Sequence, residues 1–192
     1  MVRSERVTYE VKVAVEEGSL VELDGKSYSW RGSGWYETKT FLRPPTAVVS
    51  RLNRQLQGQL LQADEGVTGF QELLSRAKTA RGAKQHGRSE RLLSRALKLR
   101  PGHEGALAIL CSVLRDEGAP RRALAETHAF RGLDYAPLLT SRAAAYCDLG
   151  LWEEAKHELA RVLAMPGKDK DEAFHVMGRI RAARPGLYDL DP

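Results

Sequence analysis

The chain has 192 residues, enough for one or two domains with a real core. Hydrophobic residues at 42% and charged residues at 29% exclude a disordered chain, and no apolar run approaches the roughly 20 residues that span a bilayer. A net charge of +5, with a pI near 9.3, is too slight a basic excess to imply nucleic acid on its own.

The first segment, "MVRSERVTYEVKV", carries no apolar leader, so the cytoplasm is the expected compartment. In "VTYEVKVAV" the residues Val7, Tyr9, Val11, Val13 and Val15 alternate with Thr8, Glu10 and Lys12, the period of a half-buried strand. "LVELDGKSYSW" predicts a hairpin, with Asp24-Gly25 as its tight turn. "GSG" at 32–34 predicts a second turn into "WYETKTF". That pairing sets Val21 opposite Tyr28 and Trp30 opposite Tyr36. One face then holds Val21, Leu23, Tyr28, Trp30 and Tyr36, and Trp35 is turned outward. "PPTAVVSRLNRQLQGQLL" supplies a cover: its prolines suit a helix start, and Val48, Leu52, Leu56 and Leu60 recur at four-residue spacing. Residues 1–62 are therefore expected to form a small antiparallel sheet backed by one helix, and 63–69 ("ADEGVTG") a linker.

Beyond the linker the alternation gives way to helical periodicity up to about Arg184. "SRAAAYCDLGLWEEAKHELARVL" has echoes upstream. Gly150 aligns with Gly118 and Ala155 with Ala123, while Leu139 aligns with Leu107 and Leu73, and Ala143 with Cys111 and Ala77. The units start at Phe70, Glu104 and Ala136, and each predicts two helices, over 70–103, 104–135 and 136–167. Small residues at the eighth and twentieth positions let the helices of a unit approach closely, and Gly150 ends a first helix. The fold class is then α+β overall, a small sheet with one helix followed by an all-α helical-repeat solenoid.

A period near 34 residues with two helices per unit resembles the tetratricopeptide repeat. The family's aromatic position falls on Ala80, Leu114 and Tyr146, its second-helix alanine on Ser89, Ala123 and Ala155, and its closing proline on Pro101, with Pro166 one place early. The first unit departs most, with Arg76 in place of leucine and Lys84 in place of the turn glycine. "DEAFHVMGRIRAAR" resembles the helix that caps such arrays, with Phe174, Met177 and Ile180 on its inner face; 185–192 is then a tail. The resemblance implies a scaffold that binds a segment of another protein in a concave groove lined by Leu74, Lys78 and Arg81, then Ala108, Ser112, Arg115 and Asp116, then Thr140, Ala144 and Asp148. Such a groove is basic at one end and acidic at the other, suited to a partly acidic partner. One subfamily clamps a terminal carboxylate with lysines and two asparagines. Here Asn53 is the single asparagine, and it lies outside the repeats.

Other motifs carry less chemistry. "DGKS" at 24–27 lacks the glycine a phosphate-binding loop needs, since residue 20 is leucine. Trp30, Trp35 and Tyr36 are weighed as a stacking platform for single strands, against a place in the core, which the pairing favours. Cys111 occupies a packing slot. His86, His103, His128, His157 and His175 show no metal-ligand spacing, so neither metal nor cofactor is expected. Residues 1–62 contain no histidine or cysteine, and no catalytic set is evident; the expectation is a non-enzymatic protein. Nine basic residues and one acid lie between Arg76 and Arg100. Among them Arg88, Arg91, Arg95 and Lys98 form a helical stripe, an alternative surface for nucleic acid or an acidic partner.

Overall fold

The computed structural model describes residues 18–167 and 170–187, so the alternating segment at 7–15 lies outside the described residues. The chain forms two compact units, the first running to Val67 and including 83–85, the second taking up the rest from Thr68 on. A three-stranded antiparallel sheet comes first, β1 (Leu20–Leu23), β2 (Lys26–Arg31) and β3 (Gly34–Glu37), in the order β1-β2-β3. Asp24 and Gly25 are both left-handed (φ 52° and 73°), the geometry that matches a two-residue loop to strand twist, and Val21 faces Tyr28 as expected.

The second hairpin differs from expectation by one residue. Its loop is Gly32-Ser33, with only Gly32 left-handed (φ 59°), so Arg31 faces Gly34 and Trp30 faces Trp35. Because side chains alternate, this slip exchanges Trp35 and Tyr36 between faces. Trp35 is 1% exposed in the core, its indole Nε1 donating to Asn53 Oδ1 at 2.8 Å. Tyr36 lies on the opposite face beside Ser29. A two-residue loop was favoured because glycine in its first position closes the hairpin without splaying the strands.

Helix α1 (Thr46–Glu65) covers the inner face. Leu52 and Leu56 are buried against Val21, Tyr28 and Trp35, with Val48 and Leu60 alongside. The helix continues through 63–65, and only 66–69 separates it from the next one.

Among the described residues the second unit contains helices and no strand: α2 (Phe70–Gly82), α3 (His86–Leu99), α4 (Glu104–Asp116), α5 (Pro120–Thr127), α6 (Ala136–Asp148), α7 (Trp152–Ala164) and α8 (Asp171–Ala183). Antiparallel neighbours α2–α3, α4–α5 and α6–α7 pack as sequential pairs, and each first helix also packs on the next, α2 on α4 and α4 on α6. First helices begin at Phe70, Glu104 and Ala136, where the repeat units begin. At the eighth position Ala77, Cys111 and Ala143 are buried, and at the twentieth Ser89, Ala123 and Ala155 are buried. Ser89 shows the contact directly, its hydroxyl donating to the Ala77 carbonyl of the partner helix at 2.8 Å.

Between the helices of a pair the backbone turns through a left-handed residue at the same offset each time: Lys84 (φ 56°), Gly118 (φ 78°) and Gly150 (φ 72°). Helix α8 closes the unit against α6 and α7. Its inner face is Ala173, Val176, Met177 and Ile180, whereas Phe174 is 55% exposed. Phe174 was expected inward with Met177, but the buried stripe is centred on 173, 176 and 180, and residue 174 is one step round the helix from it.

Candidate functional site on the first helices

The candidate residues on α2, α4 and α6 separate into two kinds. Leu74, Ala108, Ser112, Thr140 and Ala144 are only 3–8% exposed, filling the packing between helices. Ser112 illustrates why: its hydroxyl shares a 3.0 Å hydrogen bond with the Ser141 hydroxyl on α6 and reaches the Ala108 carbonyl at 3.1 Å. Apart from Leu74, these small side chains let successive first helices close up, leaving little apolar surface to anchor a partner.

Arg81, Arg115, Asp116 and Asp148 sit at the C-terminal ends of the first helices, where they pair with one another. Arg81 Nε meets Asp116 Oδ2 at 3.0 Å, linking α2 to α4. Arg115 Nε meets Asp148 Oδ2 at 2.8 Å, linking α4 to α6. Arg179 of α8 takes the other Asp148 oxygen at 2.7 Å. Asp116 and Asp148 each end a helix, where the macrodipole disfavours a carboxylate, and the guanidinium of a neighbouring helix offsets that cost. Burial works to raise the Asp148 carboxyl, but hydrogen bonds from Arg115 and Arg179 outweigh it and hold the group below its ordinary range.

This ladder changes the expected polarity of the groove. Both aspartates are neutralised, so the face has no free acidic end. Three arginines and Lys78 against two aspartates leave it net basic. Lys78 is exposed and has no ionic partner among the described residues.

Within the basic run Arg76 and Arg81 are paired with carboxylates, and the run's single acid is taken by an arginine outside it. Arg76 pairs with Glu72 at 2.7 Å, Arg122 of α5 takes Glu90, and Arg100 lies over the Phe70 ring at 4.6 Å. Of the α3 stripe, Arg88 and Arg95 are half-buried, while Arg91 and Lys98 are exposed without a carboxylate partner among the described residues.

One polar constellation was not anticipated. Arg142 is buried on α6, its side chain 2% exposed, and donates to Glu158 Oε1 of α7 at 2.8 Å and to the Thr127 hydroxyl of α5 at 2.9 Å. Arg161 extends the network to Asp134 at 2.7 Å and to the carbonyls of Arg131 and Leu133. Arg142 occupies the same unit position as Arg76, so a basic residue in a slot for leucine was the available signal. The acid that meets it comes from another helix and carries no marker. An open cleft of about 720 Å³ is lined by Arg131, Arg142, Tyr146, His157 and Glu158 among others.

Burial pushes the Cys111 thiol up to about 12 and raises Cys147 as well, so both thiols stay protonated. Among the described residues no His, Cys, Asp and Glu group could hold a metal ion, and no helix is long and apolar enough to cross a membrane. Comparison with family models, curated proteins and solved structures finds no match.

Proposed function

We propose that the helical unit is a non-enzymatic adaptor of the tetratricopeptide type, holding a segment of another protein against the face carried by α2, α4 and α6. The observation that carries this reading is the ladder from Arg81 through Asp116, Arg115 and Asp148 to Arg179. It aligns the ends of the first helices along one net-basic strip and leaves Lys78 open at its start. The coincidence of helix starts with repeat starts, and the shared buried positions, support the family assignment. The partner segment this face suits is acidic, because charge across an interface sets orientation and partner choice. The compartment we infer is the cytoplasm, a reading supported by two buried cysteines held as free thiols.

A display library of short peptides, panned against the whole chain, tests the reading. Acidic sequences should be enriched, and Lys78→Glu should weaken their binding about tenfold while leaving the thermal melt unchanged, since Lys78 is exposed. Enriched peptides that bind Lys78→Glu undiminished would overturn the placement on this face. A second reading, a nucleic-acid surface on α3, is favoured by exposed Arg91 and Lys98. It requires a binding constant that falls with salt and a slope that flattens when those two are changed to glutamine.

A further inference from the structure

The outer face of the sheet, away from α1, holds a constellation that the adaptor reading does not use. Ser29, Arg31, Gly34 and Tyr36 share this face by strand alternation. The turn that follows is closed by the Glu37 amide donating to the Leu42 carbonyl at 3.0 Å and the Phe41 amide donating to the Glu37 carbonyl at 2.8 Å. It holds Phe41 in the left-handed region at φ 56°, a conformation that bulky side chains rarely adopt. The result is display: Phe41 is 59% and Leu42 68% exposed.

Two guanidiniums lie against the rings of this face. Arg31 is centred 5.1 Å from the Phe41 ring and donates to the Ser29 hydroxyl at 3.3 Å. Arg43 is centred 5.2 Å from the Tyr36 ring and donates from Nε to the Tyr36 hydroxyl at 2.8 Å and from its terminal nitrogen to Ser33 at 3.4 Å. Arg43 also passes over Gly34, where an added Cβ would stand 3.7 Å from its Cζ, and Arg31 is the strand partner of Gly34. The Arg43 guanidinium thus passes over the glycine that Arg31 faces across the strands. Among the described residues neither they nor Lys39 is paired with a carboxylate.

We propose that this face binds single-stranded nucleic acid, with a base stacked on the exposed side of Phe41 and the adjoining phosphate received by Arg31 and Arg43. Stacking tolerates any base, and unpaired guanidiniums beside the rings supply the counter-charge. An acidic peptide would satisfy the arginines and leave the rings uncovered. A bilayer would have to draw the guanidinium stacked on Phe41 out of water along with the ring, which is costly. Strain kept at an exposed aromatic has a use if the ring is presented to a ligand.

The inference concerns the first unit and stands apart from the adaptor reading. Its test is anisotropy of a labelled oligothymidine of about 12 nucleotides with the full chain at low salt. Phe41→Gly should weaken binding about tenfold or more, while the thermal melt holds or rises, because glycine adopts a positive φ freely. Arg31→Gln and Arg43→Gln should each flatten the slope of log K against log salt by about 0.7. Binding that persists in the pair Arg91→Gln and Lys98→Gln belongs to the sheet face and not to α3. No binding at low salt, binding intact in Phe41→Gly, or binding lost only with the α3 pair would each overturn the proposal. So would binding to phosphatidylserine-containing vesicles with none to the oligonucleotide.

Discussion

Lys84 carries a conformation that its two counterparts meet with glycine. At φ 56° its Cβ is crowded against the backbone, whereas Gly118 and Gly150 make the same turn without that penalty. Lys84→Gly should therefore raise stability by about 1 kcal/mol, after the added freedom of the unfolded chain is subtracted. A chemical denaturation midpoint that stays put or falls would show that the lysine side chain makes a compensating contact. Glu158 presents the opposite case. It neutralises a guanidinium whose side chain is only 2% exposed, so Glu158→Ala should cost about 3–5 kcal/mol, the penalty for stranding a buried charge. A double variant with both residues made apolar should recover much of that loss in the same denaturation series. The alternative, equal loss in single and double variants, would mean that packing dominates the site.

Among the elements, helix pairing depends on small side chains where two helices meet. Ala155 is fully buried and faces the core shared by α6, α7 and α8. Ala155→Leu should overpack it and cost about 1–3 kcal/mol. A melt indistinguishable from the parent would show that the pair can spread to take the larger residue. The hairpins obey a different control. In each, turn chemistry sets which residues face one another, and one place of slip moves every side chain to the other face. Trp35 and Tyr36 changed roles in this way, giving the core an indole hydrogen-bonded to Asn53 and the outer face a phenol stacked on Arg43.

In the helical unit as a whole, the ladder joins elements that lie far apart in the chain. Asp148 takes Arg115 from the preceding pair and Arg179 from the closing helix. Its folded carboxyl is held below the ordinary value of 3.8, so its contribution to stability is full above about pH 4 and is lost as pH falls through the depressed folded value. Asp148→Asn should accordingly lower the melting temperature at pH 7, and the gap between variant and parent should narrow as pH drops below 4. A gap that stays constant down to pH 2.5 would remove the ion pairs from this account. Coupling of this kind suits a repeat array, whose stability is a sum of units and the interfaces between neighbours.

By itself the sequence determined the helical half almost completely. Repeat starts at 70, 104 and 136, buried positions at the eighth and twentieth places, and the left-handed turns at Gly118 and Gly150 follow from local periodicity and residue size, which are written in neighbouring residues, whereas the left-handed Lys84 has no glycine to mark it. It also determined that α1 covers a sheet, because the four-residue spacing of its leucines leaves one face to bury. Only tertiary structure decided which charges stay available. Arg81, Arg115, Asp116 and Asp148 look alike as surface residues along the chain, yet each finds its counter-ion on another helix, more than thirty residues away. Arg142 likewise meets its counter-ion, Glu158, on another helix, and Arg31 and Arg43 meet the Phe41 and Tyr36 rings only through the folding of the turn after β3. A charge or a ring acquires its role from what lies within a few ångströms, and that distance is set by the packing of whole elements.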